Sequence, residues 1–85
     1  MRILVVEDDP ILADGLRVGL KLTGWTVDAV ARCGDARAAL AANRFDAIVL
    51  DLMLADGSGL DVLAEMRGAG DTTPVVLLTA LDEIS

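Results

Sequence analysis

The chain has 85 residues, 54% of them hydrophobic, with fourteen acidic side chains against seven basic ones and a formal net charge of −7. That describes one small domain able to bury somewhat over ~60% of its unfolded surface, too apolar for disorder and too acidic for direct nucleic-acid contact. One cysteine and no histidine exclude a disulfide framework, His-based catalysis and His-ligated metals, and make a reducing cytoplasm the expected compartment.

Met1-Arg2 leads into Ile3, Leu4, Val5 and Val6 before Glu7. The run is too short for a signal peptide or membrane span, and its branched residues suit a buried strand. Asp9-Pro10 starts a helix, with the carboxylate as N-cap and proline at the first position. Leu12, Leu16 and Leu20, widened by Val18 and Leu22, make its apolar stripe, and Gly24 stops it. Gly15 and Gly19 weaken a helix, which points to close packing at those positions. Trp25, expected to pack, opens the second and shorter strand, "WTVDAV". Residues 34–43, "GDARAALAAN", read as the second helix, with Cys33 before it as a small apolar filler. "FDAIVLD" is the third strand and ends in Asp51. Ser58 caps a third helix, with Asp61 making a capping-box variant and Leu60, Leu63 and Ala64 supplying the apolar face. Gly68 and Gly70 end it. "TPVVLLTA" is the fourth strand, beginning at Pro74.

Strands and helices that alternate in this way predict an α/β fold, a doubly wound parallel sheet with right-handed crossovers. Strands 1, 3 and 4 are continuously apolar and are expected to be central; strand 2 is expected at an edge. Ligands of such sheets bind beyond the carboxyl ends of the strands. Glu7-Asp8-Asp9, Asp51 and Thr79 all fall there. With strands 1 and 3 as neighbours, Asp8 and Asp51 lie side by side and Glu7 beside them. Clustered carboxylates repel unless a cation sits among them. Without histidine, the suitable ion is Mg²⁺ or Mn²⁺, which prefer oxygen ligands. The Met53 carbonyl completes the set, Thr79 offers a hydroxyl, and Gly57 and Gly59 let the loop bend close. Asp9 reads as a helix cap only, and Asp56 as a solvated loop residue. The assembly suggests phosphoryl chemistry with a carboxylate as acceptor.

These residues resemble the receiver domain of bacterial two-component response regulators, especially the OmpR/PhoB type. "ILVVEDD" resembles the family's acidic pair, which implies Glu7 and Asp8 as metal-site residues. "IVLDLMLADGSGLDVL" resembles the acceptor strand and loop, implying Asp51 as phosphoacceptor and Met53 as carbonyl ligand. "PVVLLTA" resembles strand 4, implying Thr79 as the switch hydroxyl and Ala80 as the small residue beside it. The resemblance covers the whole chain and implies a flavodoxin/CheY-like sheet of strand order 2-1-3-4 over residues 1–85. It also implies a cytoplasmic signalling switch, not a turnover enzyme, served by a sensor histidine kinase and Mg²⁺ and controlling a C-terminal DNA-binding effector.

Two departures stand out. Ala55 occupies a position that is usually proline, which loosens the loop. The fifth strand is missing from these residues, and with it the lysine at its end and the aromatic partner of Thr79. A partial receiver truncated after strand 4 exposes an apolar edge, so self-association, or a non-signalling fragment that oligomerises there, is an expected alternative. A second alternative is a phosphatase with an aspartyl-phosphate nucleophile. That chemistry wants another aspartate two residues after the nucleophile, where Met53 stands.

Overall fold

The computed structural model describes residues 1–78. Its elements are β1 (Arg2–Val6), α1 (Pro10–Lys21), β2 (Thr26–Val30), α2 (Cys33–Ala42), β3 (Ala47–Asp51), β4 (Met53–Leu54), β5 (Gly57–Ser58), α3 (Gly59–Gly68) and β6 (Val75–Leu78). β1, β2, β3 and β6 form one parallel sheet in the order β2-β1-β3-β6, with β6 the fourth strand read from the sequence. The expected doubly wound α/β order and the edge position of β2 are both found. β6 is the other edge of the described sheet, as the strand order 2-1-3-4 implied and against the central place its apolar run suggested, with Val76 and Leu77 exposed. Apolar side chains report how well the faces of a strand are covered; they do not report whether its edges are paired.

Period-two alternation divides the core between the two faces of the sheet. Leu4, Val6, Ile48 and Leu50 meet Cys33 and Ala36 of α2 and Val62 and Met66 of α3 on one side. Ile3, Val5 and Val27 meet Leu16, Leu20 and Trp25 on the other. Because β1 is paired on both edges and covered on both faces, Leu4, Val5 and Val6 are fully buried. Truncating Leu4 to alanine falls in the range of about 2–5 kcal/mol typical of packed cores. Arg2 ties the edge strand down: its guanidinium reaches Asp28 at 2.6 Å and stacks 5.2 Å above the Phe45 ring.

Two helix faces differ from expectation. On α1, only Leu16 and Leu20 reach the sheet, whereas Leu12, Val18 and Leu22 are exposed. The helix lies over β1 and β2, a platform narrow enough for one leucine per turn to cover. Gly15 and Gly19 have open space around them, so the close packing expected there is not found. On α3, Gly59, Val62 and Met66 are the buried positions, with Leu63 packed beside them, whereas Leu60 and Ala64 are exposed. Both stripes have helical spacing, so periodicity alone chooses neither; the buried start at Gly59 sets the rotation of the helix. Ser58 caps α3, its hydroxyl accepting the Leu60 N–H at 3.1 Å, without a reciprocal bond from Asp61 among the described residues.

Candidate functional site

The register of the central strands builds the site. Val6 pairs with Leu50 across β1 and β3, so the next residues, Glu7 and Asp51, emerge at the same level of the carboxyl edge. The Glu7 N–H extends the β1–β2 ladder by donating to the Val30 carbonyl at 3.0 Å, which keeps the side chain close to the core. Glu7 is 4% exposed, Asp51 is half-buried and Asp8 is exposed. One carboxylate oxygen from each of the three lies within 4.8 Å of the others.

The structure therefore brings Glu7, Asp8 and Asp51 together and separates Asp9 from them. Asp9 turns to α1, where its Oδ1 accepts the N–H groups of Ile11 at 2.9 Å and Leu12 at 3.4 Å. Asp51 Oδ1 accepts the Met53 N–H at 3.2 Å, tying the following loop to the strand end. That loop is itself a small antiparallel hairpin, β4 with β5, pairing Met53 with Ser58 and Leu54 with Gly57. Gly57 lies at φ 153°, a conformation other residues rarely adopt. Gly59 is needed for space: a Cβ there would fall on the Asp51 carbonyl. Thr79 and Ala80 lie outside the described residues.

No basic side chain forms an ion pair with the three acids among the described residues. The Glu7 carboxyl is pushed up to about 7, first by burial and then by Asp51 and Asp8, against a downward pull from the Asp9 N–H that donates to it at 3.0 Å. Oxygen donors alone, crowded and short of positive charge, fit a hard divalent cation. The same shift predicts how stability responds to pH. An unfolded glutamate titrates near 4.5, so the metal-free fold takes up a proton more readily than the unfolded chain does. Its charged Glu7 is a cost that is full above about pH 7 and gone below 4.5. The urea midpoint of metal-free protein is expected to rise as pH falls through that window, and Glu7→Gln to flatten the rise. A variant with the parental slope would show that Glu7 is not the group responsible.

Sequence reasoning missed Asp56. Its carboxylate is not merely solvated: Oδ1 accepts the Cys33 N–H at 2.8 Å and Oδ2 the Gly34 N–H at 3.1 Å. These two bonds hold the Asp56 carboxyl below its ordinary value, while burial, with Asp56 nearby, pushes the Cys33 thiol up. The available signal was a helix start lacking a capping residue of its own, since Arg32 occupies the N-cap of α2 and makes no side-chain bond there.

Residues 3–85 match the family described as response regulator receiver domain. The chain is 49% identical over 85 residues to the response regulator protein PmrA of Pseudomonas aeruginosa, covering 100% of this chain and 38% of that protein. It is 40% identical over 84 residues to the transcriptional regulatory protein QseB of Escherichia coli O157:H7, covering 99% and 38%. Among solved structures, the response regulator TrrA of Thermotoga maritima, in complex with Mg²⁺-BeF, superposes with a TM-score of 0.88 at 30% identity, covering 96% of this chain and 71% of that one. The chain thus spans well under half the length of the two curated relatives.

Proposed function

The chain belongs to the response regulator receiver domain family, and on that footing we propose that Asp51 is its phosphoacceptor, charged by a sensor histidine kinase. The observation that carries this reading is the convergence of Glu7, Asp8 and Asp51 at one strand edge, with oxygens within 4.8 Å of one another. An Asp51 oxygen attacks the phosphorus of a phosphohistidine; the new O–P bond forms as the P–N bond breaks, and the electron pair leaves on the imidazole. β3, paired on both sides, gives the attacking group a rigid support. Glu7, Asp8, Asp51 and the Met53 carbonyl would hold Mg²⁺ or Mn²⁺, which neutralises charge on the transferred group. The Mg²⁺-BeF complex of the similar TrrA protein supports that choice of ion.

Phosphorylation adds up to about −2 charge beside the acidic cluster. Thr79 and Ala80, directly after β6 in the chain, are the proposed switch pair that answers it. The readout is control of a C-terminal DNA-binding effector, in line with the regulator names of the longer relatives. The protein acts in the cytoplasm as a signalling domain, and no helix among the described residues is long and apolar enough to cross a membrane. Self-association through the β6 edge belongs to the same reading, because β6 is an outer strand of the sheet among the described residues.

Acetyl phosphate with Mg²⁺ tests the acceptor directly. Intact-mass spectrometry is expected to show one added phosphoryl group on the parent chain and none on Asp51→Asn. Equal uptake by both proteins would refute the assignment.

A further inference from the structure

We propose that Asp56 is a positioning residue for the cation site, clamping the tip of the 53–58 hairpin to the amino terminus of α2 so that the Met53 backbone is held beside Glu7, Asp8 and Asp51. The proposal rests on the reading of those acids as a metal site.

Three observations carry it. First, α2 begins without a side-chain cap of its own, as Arg32 makes no capping bond, and the leading amides of a helix need an acceptor. Asp56, more than twenty residues later in the chain, supplies both of its oxygens, to Cys33 N at 2.8 Å and Gly34 N at 3.1 Å. A carboxylate shared by two amides at a helix amino terminus gains from charge and from the helix dipole.

Second, the hairpin transmits that anchor. Leu54 pairs with Gly57 and Met53 with Ser58, so fixing the tip fixes the base. At the base the Met53 N–H reaches Asp51 Oδ1 at 3.2 Å, and the Gly59 N–H donates to the Leu52 carbonyl at 3.0 Å. The Cys33 thiol closes the same contact from the α2 side, 3.8 Å from the Ser58 carbonyl.

Third, the tip has little other restraint. Ala55 leaves the backbone free where a proline would fix φ, and both Ala55 and Asp56 are exposed. Leu54 at the base packs against the core, but among the described residues the two bonds to α2 are the side-chain hydrogen bonds that tie the tip of the hairpin to another part of the fold.

A clamp and a simple helix cap predict different results. Asp56→Ala is expected to weaken Mg²⁺ binding by about tenfold in calorimetric titration, a loss of the size produced by removing groups that orient metal ligands. It is also expected to speed amide exchange across residues 53–58. Asp56→Asn, which keeps an acceptor oxygen, is expected to fall between. The deciding variant is Asp56→Ala combined with Ala55→Pro. Leu54 is already in an extended strand, as the residue before proline requires. Stiffening the tip there is expected to restore Mg²⁺ affinity while Cys33 and Gly34 remain fast to exchange. Unchanged affinity in Asp56→Ala, or no recovery in the double variant, would overturn the proposal and leave Asp56 as a cap of α2 or a mere source of negative charge. Failure of the parent protein to bind Mg²⁺ would instead remove the metal site itself, and this role with it.

Discussion

Gly59→Ala is expected to lower stability by about 3 kcal/mol, whereas Gly15→Ala is expected to raise it by about 0.5–1 kcal/mol. The two substitutions add the same methyl group, so the opposite signs isolate the environment. At Gly59 the new Cβ overlaps the Asp51 carbonyl and crowds the Leu50 side chain at 3.1 Å. The neighbours are the end of a central strand and a fully buried leucine, and neither can yield cheaply in a densely packed interior. At Gly15 there is nothing within 4 Å. The residue is exposed in the middle of α1, and alanine simply reduces the freedom of the unfolded chain. Urea denaturation of both variants against the parent provides the measurement. A Gly59→Ala midpoint equal to the parent's would show that α3 can move off Asp51 freely, and the picture of a rigid acceptor strand end would go with it.

That pair of glycines also shows where sequence patterns stop being informative. Both occur in helices, and only a neighbour distant in the chain tells them apart. Patterns that are local in the chain were readable: the apolar runs of β1 and β3, the Asp9-Pro10 start of α1, the alternation that makes the sheet parallel. The meeting of Asp8 with Asp51 followed as well, since adjacent parallel strands deliver their following residues to one edge. Phase was not readable. α3 carries two apolar stripes, and the buried one, Val62 with Met66, is selected by the contact at Gly59. Partnership across the fold was not readable either. Asp56 belongs to α2 energetically but to the β4–β5 hairpin in the chain, and no strand register links those two places as one links Asp8 to Asp51. Its only local trace is the uncapped Arg32-Cys33 start of α2.

Asp8→Asn is expected to have opposite effects on the metal-free and the metal-bound protein. Without a cation, Asp8 is an acid beside two others, and its removal relieves repulsion. The metal-free melting temperature should therefore rise. In Mg²⁺ the order changes. An ion that binds only the folded state stabilises it by about 2.7 kcal/mol when its concentration is a hundred times the dissociation constant. Losing one charged oxygen donor of the cluster should weaken binding by at least about tenfold, or ~1.4 kcal/mol. At a fixed Mg²⁺ concentration the parent should thus gain markedly more from the ion than the variant does. Removing an ordinary exposed acid elsewhere, Asp14 for example, which pairs with Arg17 on the surface of α1, should leave the Mg²⁺ increment at the parental value. Thermal melts of the three proteins, with and without Mg²⁺, contain the whole comparison. If Asp8→Asn and Asp14→Asn respond to Mg²⁺ alike, the carboxylates at the strand edge are only a patch of negative surface. If the increments separate as described, the burial and acidic crowding that make Glu7 hard to ionise and the capacity to hold a divalent ion are two sides of one electrostatic arrangement. The metal-free fold tolerates that arrangement because the central strands hold the acids in place.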